Sequence, residues 1–174
     1  MKNDENALVI PDGVVEDFGD YGDEALSLGV VIKAYAPIGS VSGMGRIQVE
    51  AREIVDVDAR SIAYFTVLTV TGSGTNGSSS SVTVPVAETG RIMAAIARLV
   101  KTSLGLTKFP SFEVIFETES GLRIIVFNAS DGTLNAAVGA KSVTCYFKEV
   151  ARLGEVATLL GRARDYIEEN QISI

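Results

Sequence analysis

Residues 81–99 and 142–160, SVTVPVAETGRIMAAIARL and SVTCYFKEVARLGEVATLL, read as two copies of one segment held at a constant offset of 61. Ser81/Ser142, Val82/Val143, Thr83/Thr144, Glu88/Glu149, Arg91/Arg152 and Leu99/Leu160 are identical. Conservative pairs (Val84/Cys145, Val86/Phe147, Ile92/Leu153) fall between them. The apolar phase persists through an alternating first part and a helical second part, so the shared unit is a strand running into a helix. Upstream, the same register sets Ala63, Phe65 and Val67 against Ile124, Val126 and Asn128, and it fades where Glu53 meets Val114. The chain is therefore expected to duplicate one half, over about 46–106 and 107–169, inside a single domain spanning 27–174.

Strand and turn signals fill in the rest. Leu28–Ala36 reads as a first strand closed by Pro37 and a turn-rich stretch, Gly39–Gly45. Arg46–Val55 alternates Ile47, Val49 and Ala51 with Gln48, Glu50 and Arg52, the pattern of a half-buried antiparallel strand. Ser61–Thr71 is dense in β-branched and aromatic residues and pairs with it, and after a Gly/Ser/Asn tip Ser81–Val86 returns. Phe112–Thr118, Leu122–Asn128, Leu134–Ala140 and Val143–Phe147 form the second set, with tight turns at Glu119-Ser120-Gly121 and Asp131-Gly132. A helix from Glu88 carries Ile92, Ala95, Ile96, Leu99 and Val100 on one face. A second, over 148–169, carries Leu153, Val156, Ala157, Leu160, Ala163 and Ile167. Glu88 and Glu149 then fall in first turns, each three residues before an arginine, Arg91 or Arg152, for a surface pair. The expected fold class is α+β: two repeats of an antiparallel meander followed by an amphipathic helix, with the helices packed on sheet.

Charge sets the N-terminus apart. Residues 1–42 hold eight acids against Lys2 and Lys33, whereas residues 43–174 hold fourteen acids against thirteen bases. Residues 1–26 sustain neither periodicity and read as an acidic arm that meets a protein partner. Its segment DFGDYGDE gathers Asp17, Asp20, Asp23 and Glu24, but the spacing departs from a calcium loop. No apolar run is long enough to span a bilayer, and the N-terminus lacks the layout of a secretory signal. Cys145 is the single cysteine and sits at an inward-phased strand position, as a buried thiol would. A cytoplasmic protein is expected.

Chemistry is sparse. The chain has no histidine, which removes the commonest general base and metal ligand and every Ser-His or Cys-His nucleophile pair. Asp56/Asp58 and Glu117/Glu119 are the candidate carboxylate pairs, and both sit beside turns where solvated acids are ordinary. Gly43-Met44-Gly45 leads into a strand instead of opening a helix, and Thr71–Ser81 lacks the Lys-Ser/Thr ending of a phosphate loop, so neither glycine-rich stretch is a nucleotide fingerprint. We expect no catalytic set, no metal and no cofactor.

The duplicated plan of residues 28–169 is similar in outline to the Whirly and PUR-type nucleic-acid-binding folds, which build a domain from two sheet-plus-helix repeats. That resemblance implies Tyr35, Tyr64, Phe109 and Tyr146 as stacking candidates, with Arg46, Arg52, Arg60, Lys108 and Arg123 contacting phosphates. The acidic total and the lack of a basic stripe weigh against a nucleic-acid partner. The apolar share of 47% and mean hydropathy of +0.28 leave surface for a subunit interface. The leading expectation is a non-enzymatic binding or assembly module that partners itself. A single-stranded nucleic-acid binder and a small carboxylate-dependent enzyme are the alternatives.

Overall fold

The computed structural model describes residues 29–74 and 77–172. In chain order they form β1 (Val31–Gly43), β2 (Gly45–Asp56), β3 (Ser61–Gly72), β4 (Ser79–Pro85), α1 (Val86–Leu99), β5 (Glu113–Glu117), β6 (Leu122–Asn128), β7 (Leu134–Ala140), β8 (Val143–Phe147) and α2 (Arg152–Asn170). Two four-stranded antiparallel sheets result, ordered β1-β2-β3-β4 and β5-β6-β7-β8, and each meander ends in a helix. This is the expected α+β architecture. The acidic arm read over 1–26 lies outside the described residues.

Alternation decides which side of each sheet is buried. In the first sheet Ile47, Val49, Leu68, Val70, Val82 and Val84 point inward. In the second, Leu122, Ile124, Val126, Val138, Cys145 and Phe147 do so. The two inner faces and the buried stripes of both helices merge into one cluster that includes Ile92, Ile96, Leu99, Leu153, Val156, Leu160 and Ala163. α2 crosses from the second unit to lie on β1 and β2 of the first, while α1 lies against β3, β4 and β6 and against α2. At the helix crossing, a Cβ on Gly161 would come within 3.2 Å of the Met93 Cε, so a small residue sets how closely the helices approach.

Elements follow the expected ones with three instructive differences. β1 runs on to Gly43 instead of stopping at Pro37. Pro37 lies on an edge strand, where its missing N–H costs no ladder bond, and a bulge between Pro37 and Gly39 absorbs the irregularity. Gly39 is small because α2 rides over it: a Cβ there would fall 2.8 Å from the Leu159 side chain. The second helix starts at Arg152, because residues 149–154 first make tighter turns through Arg152 N–H to Glu149 O, Leu153 N–H to Val150 O and Gly154 N–H to Ala151 O. Glu149 thus precedes the helix. The Glu88–Arg91 pair forms at 3.8 Å, but Arg152 turns to Glu155 and donates to the Ser42 carbonyl at 2.8 Å, tying α2 to the end of β1.

The third difference concerns the register of the repeat. Val84 and Cys145, matched by the offset, face Thr66 and Val138 on the neighbouring strand. β3 therefore corresponds to β7 in the meander, whereas the constant offset sets it against β6. Thr66 and Val84 are 18 positions apart and Val138 and Cys145 only 7, so an offset that matches β4 to β8 cannot also match β3 to β7.

Candidate functional site

The two sheets turn different outward faces to solvent. On the first sheet the cross-strand rows are Tyr35, Arg52, Phe65, Pro85; then Pro37, Glu50, Val67, Thr83; then Ser40, Gln48, Thr69, Ser81; and Ser42, Arg46, Thr71, Ser79. The end of this face near Ser40 and Ser79 is short and hydroxylated and satisfies itself, while the other end also carries Val31, Ile54, Ala63 and Phe65. Thr69 and Ser81 hydroxyls meet at 2.7 Å, Arg46 donates to Ser40 Oγ at 3.0 Å, and Arg52 pairs with Glu50 at 2.9 Å while its guanidinium sits 4.8 Å from the Tyr35 ring centre.

The second sheet differs in kind. Its central outward row is Ile115, Ile125, Ala137, Tyr146, flanked by the row Glu117, Arg123, Gly139, Thr144 on one side and by Glu113, Phe127, Asn135 on the other. Phe127 and Tyr146 pack edge to face with ring centres 6.4 Å apart and planes at 89°. Ala137 is small and shut from water, so the larger side chains around it stand proud of a flat floor. Ile115 and Tyr146 remain 44% exposed, and beyond β8 the band continues to Met44, 52% exposed.

Met44 belongs to the first sheet, and its place explains a motif. Its N–H donates to the Tyr146 carbonyl at 2.7 Å and its carbonyl accepts the Tyr146 N–H at 3.2 Å, so the β1–β2 turn is stitched onto the free edge of β8. The glycines beside it are steric requirements. A Cβ on Gly43 would lie 2.4 Å from the Tyr146 carbonyl oxygen. Gly45 has φ +114, and a Cβ there would lie 2.3 Å from the Thr71 carbonyl oxygen. Gly43-Met44-Gly45 is a sheet-to-sheet clasp, consistent with its failure as a phosphate fingerprint.

The residues singled out in the sequence scatter over several surfaces. Arg123 and Tyr146 share the outward face of the second sheet. Arg46, Arg52 and Tyr35 share that of the first. Arg60 holds the β2–β3 turn at φ +49. Lys108 and Phe109 lie in the exposed connection from α1 to β5, beside the exposed Leu104 and Leu106. Tyr64 points to the inner side, where its hydroxyl accepts the Ile172 N–H at 3.1 Å. Ile115, Ile125 and Phe127 are not among the residues that sequence patterning singles out, and Met44 enters there only within a glycine-rich stretch. The signal for the first three is the unbroken apolar run of Val114–Phe116 in β5 and Ile124–Phe127 in β6, the mark of a strand with two apolar faces.

Carboxylates serve the fold. Asp56 accepts the Ala59 N–H at 2.8 Å in the β2–β3 turn, and Asp58 accepts the Gly29 N–H at 2.8 Å. Glu117 stands opposite Arg123, and Glu119 is exposed in the β5–β6 turn. Among the described residues, no group of three or more side chains suited to a metal ion comes together. No helix among them is long and apolar enough to cross a membrane. Compared with models of known protein families the chain matches none, and it matches no curated protein.

Proposed function

We propose that this protein is a non-enzymatic assembly module that pairs with a second copy of itself through the outward face of β5–β8. The observation that carries the reading is the band Met44, Tyr146, Ala137, Ile125, Ile115, an apolar strip across the sheet on which Ile115, Tyr146 and Met44 stand 44%, 44% and 52% exposed. Monomers rarely leave a continuous apolar face in water, because each buried side chain of this size gains about 1.5–3 kcal/mol on desolvation. The charges beside the strip favour a like partner over a polyanion. Glu113 and Glu117 accompany Arg123 on the same face, so it presents both signs and no excess of cations. A two-fold pairing places the same patch on both sides and needs only such self-complementarity.

Light scattering coupled to size exclusion tests this directly. At about 50 µM we expect roughly twice the 18.4 kDa chain mass, and Ile115→Glu should return the protein to a monomer with an unchanged circular-dichroism spectrum, since a charge on that exposed row cannot be buried against a copy. A strictly monomeric wild type at this concentration would sink the proposal.

One observation favours a second reading, binding of single-stranded nucleic acid on this same face. Phe127 and Tyr146 offer ring surfaces to unstacked bases, with Arg123 in the next row for a phosphate. Anisotropy of a labelled oligothymidylate at low and at moderate salt separates the two. The first reading expects no binding at either, whereas the second expects binding that weakens steeply with salt.

A further inference from the structure

Under the last two turns of α2, the inner face of the first sheet changes character. Near its middle it carries Ile47, Val49 and Leu68, but toward this end the floor is Ala34, Ala36 and Ala51. Side chains that small cannot fill the gap beneath the helix. A cleft of ≈ 190 Å³ remains, walled by Glu53 and Tyr64 from the sheet and by Tyr166, Ile167 and Asn170 from α2. Glu53 and Tyr64 are direct cross-strand partners, and the Tyr64 hydroxyl accepts the Ile172 N–H at 3.1 Å.

Two independent features make this cleft electronegative. Glu53 is half-buried, and no lysine or arginine among the described residues forms an ion pair with it. Its neighbour Arg52 also borders the cleft, but its guanidinium is taken up by Glu50 at 2.9 Å and by the Tyr35 ring. The C-terminal end of α2 is the second. Its last turn contains no basic residue and carries Glu168, which Arg164 pairs at 3.5 Å, and Glu169, so the carbonyl end of the helix stays negative on balance. A half-buried carboxylate, a helix C-terminus and two tyrosine rings around an alanine floor together describe a receptor for a positive charge carried on a short apolar stem. Tyrosine faces attract such a cation from within about 6 Å, and the stem would cover alanine surface otherwise left in water.

We infer that this cleft binds a small organic ammonium group, a protonated alkylamine or the side chain of a lysine, with Glu53 as counter-ion and Tyr64 and Tyr166 as its walls. Anions are excluded by sign. Neutral alcohols of equal length lack the charge that Glu53 and the helix end select. The cleft faces away from the outward side of the second sheet, so the inference stands or falls apart from the assembly reading.

The test is an amide-shift titration of the full chain with n-butylammonium, with N-acetyl-lysine amide as the second probe and n-butanol as the uncharged control. We expect saturable shifts confined to Ala34, Ala51, Glu53 and Ile172 with both cations, and no saturation with n-butanol. Response to n-butylammonium without response to N-acetyl-lysine amide would assign the site to free amines, and response to both would admit peptide lysines. Glu53→Gln keeps the shape and the hydrogen-bonding oxygen, so it should weaken n-butylammonium binding about tenfold with the amide spectrum otherwise preserved. Tyr166→Ala, at a half-exposed position, should weaken it severalfold. Equal shifts from n-butanol, non-saturating shifts from the cations, or undiminished binding in Glu53→Gln would each overturn the inference.

Discussion

Single residues here act mostly through what they leave room for. Gly43 and Gly45 let the β1–β2 turn lie against the edge of β8, and a methyl group at either would drive into a carbonyl oxygen that a strand holds in place. Gly43→Ala should therefore destabilise the fold by about 2–4 kcal/mol, whereas Gly90→Ala, which meets nothing within 4 Å on an exposed helix face, should be neutral or stabilise it slightly. Denaturant midpoints of the two variants provide the comparison. Cys145 is fully buried opposite that clasp, and burial raises its thiol above the ordinary cysteine range, with the Gly43 backbone contact opposing weakly. The folded state thus holds the proton more tightly than the unfolded one. Stability is complete below the ordinary thiol pKa and falls as pH climbs past it. Native protein should resist a thiol-directed reagent at neutral pH and react once denaturant opens the second sheet, and prompt labelling without denaturant would contradict the burial.

Elements show how far patterning reaches. Alternation placed β2, β3 and β5–β8 within one or two residues, because in each the inward phase is apolar and the turns carry their own chemistry. In the β5–β6 turn Thr118 accepts the Leu122 N–H and Gly121 takes φ +88. In the β6–β7 turn Asp131 accepts the Thr133 N–H and Gly132 takes φ +81. Pro37 and the glycines after it look like a turn in sequence, and only the packing of α2 onto Gly39 shows why a strand needs them. Both helices present the expected stripes, except that Val100, placed on the apolar face of α1, lies beyond its end and is exposed. Leu160 lies at the heart of α2 and is fully buried, so Leu160→Ala should cost about 2–5 kcal/mol, while Glu88→Ala, which removes a loose surface pair, should cost a few tenths. Thermal unfolding of both variants checks this ratio, and a Leu160→Ala protein as stable as the parent would show that the helix does not anchor the core.

At the scale of the whole molecule, the two meanders bury their inner faces in one shared cluster. The inner face of the first sheet is covered by the second sheet and by both helices, and that of the second by the first sheet and α1, with α2 spanning back over the first sheet and Arg152 reaching Ser42. Neither half has a core of its own. Residues 29–106 and 107–172 made as separate chains should lack dispersed amide spectra, and mixing them should restore it. An independently folded half would refute the shared core. The same crossing concentrates the candidate surfaces. By covering the inner face of the first sheet incompletely, α2 leaves the cleft at Glu53, and because both helices sit on the inner side, the outward face of β5–β8 stays open.

What the amino-acid order determined by itself is local: which side of each strand is apolar, where glycine and aspartate bend the chain, and that a strand runs into an amphipathic helix twice. Each depends on neighbours a few residues away, and that interaction range leaves a period in the sequence. The tertiary structure alone decided which helix covers which sheet and which strand faces meet, and so that α2 closes over Glu53 and Tyr64. It also set Gly43-Met44-Gly45 against β8. Those outcomes rest on contacts between residues up to 110 positions apart, for which one-dimensional periodicity carries no signal.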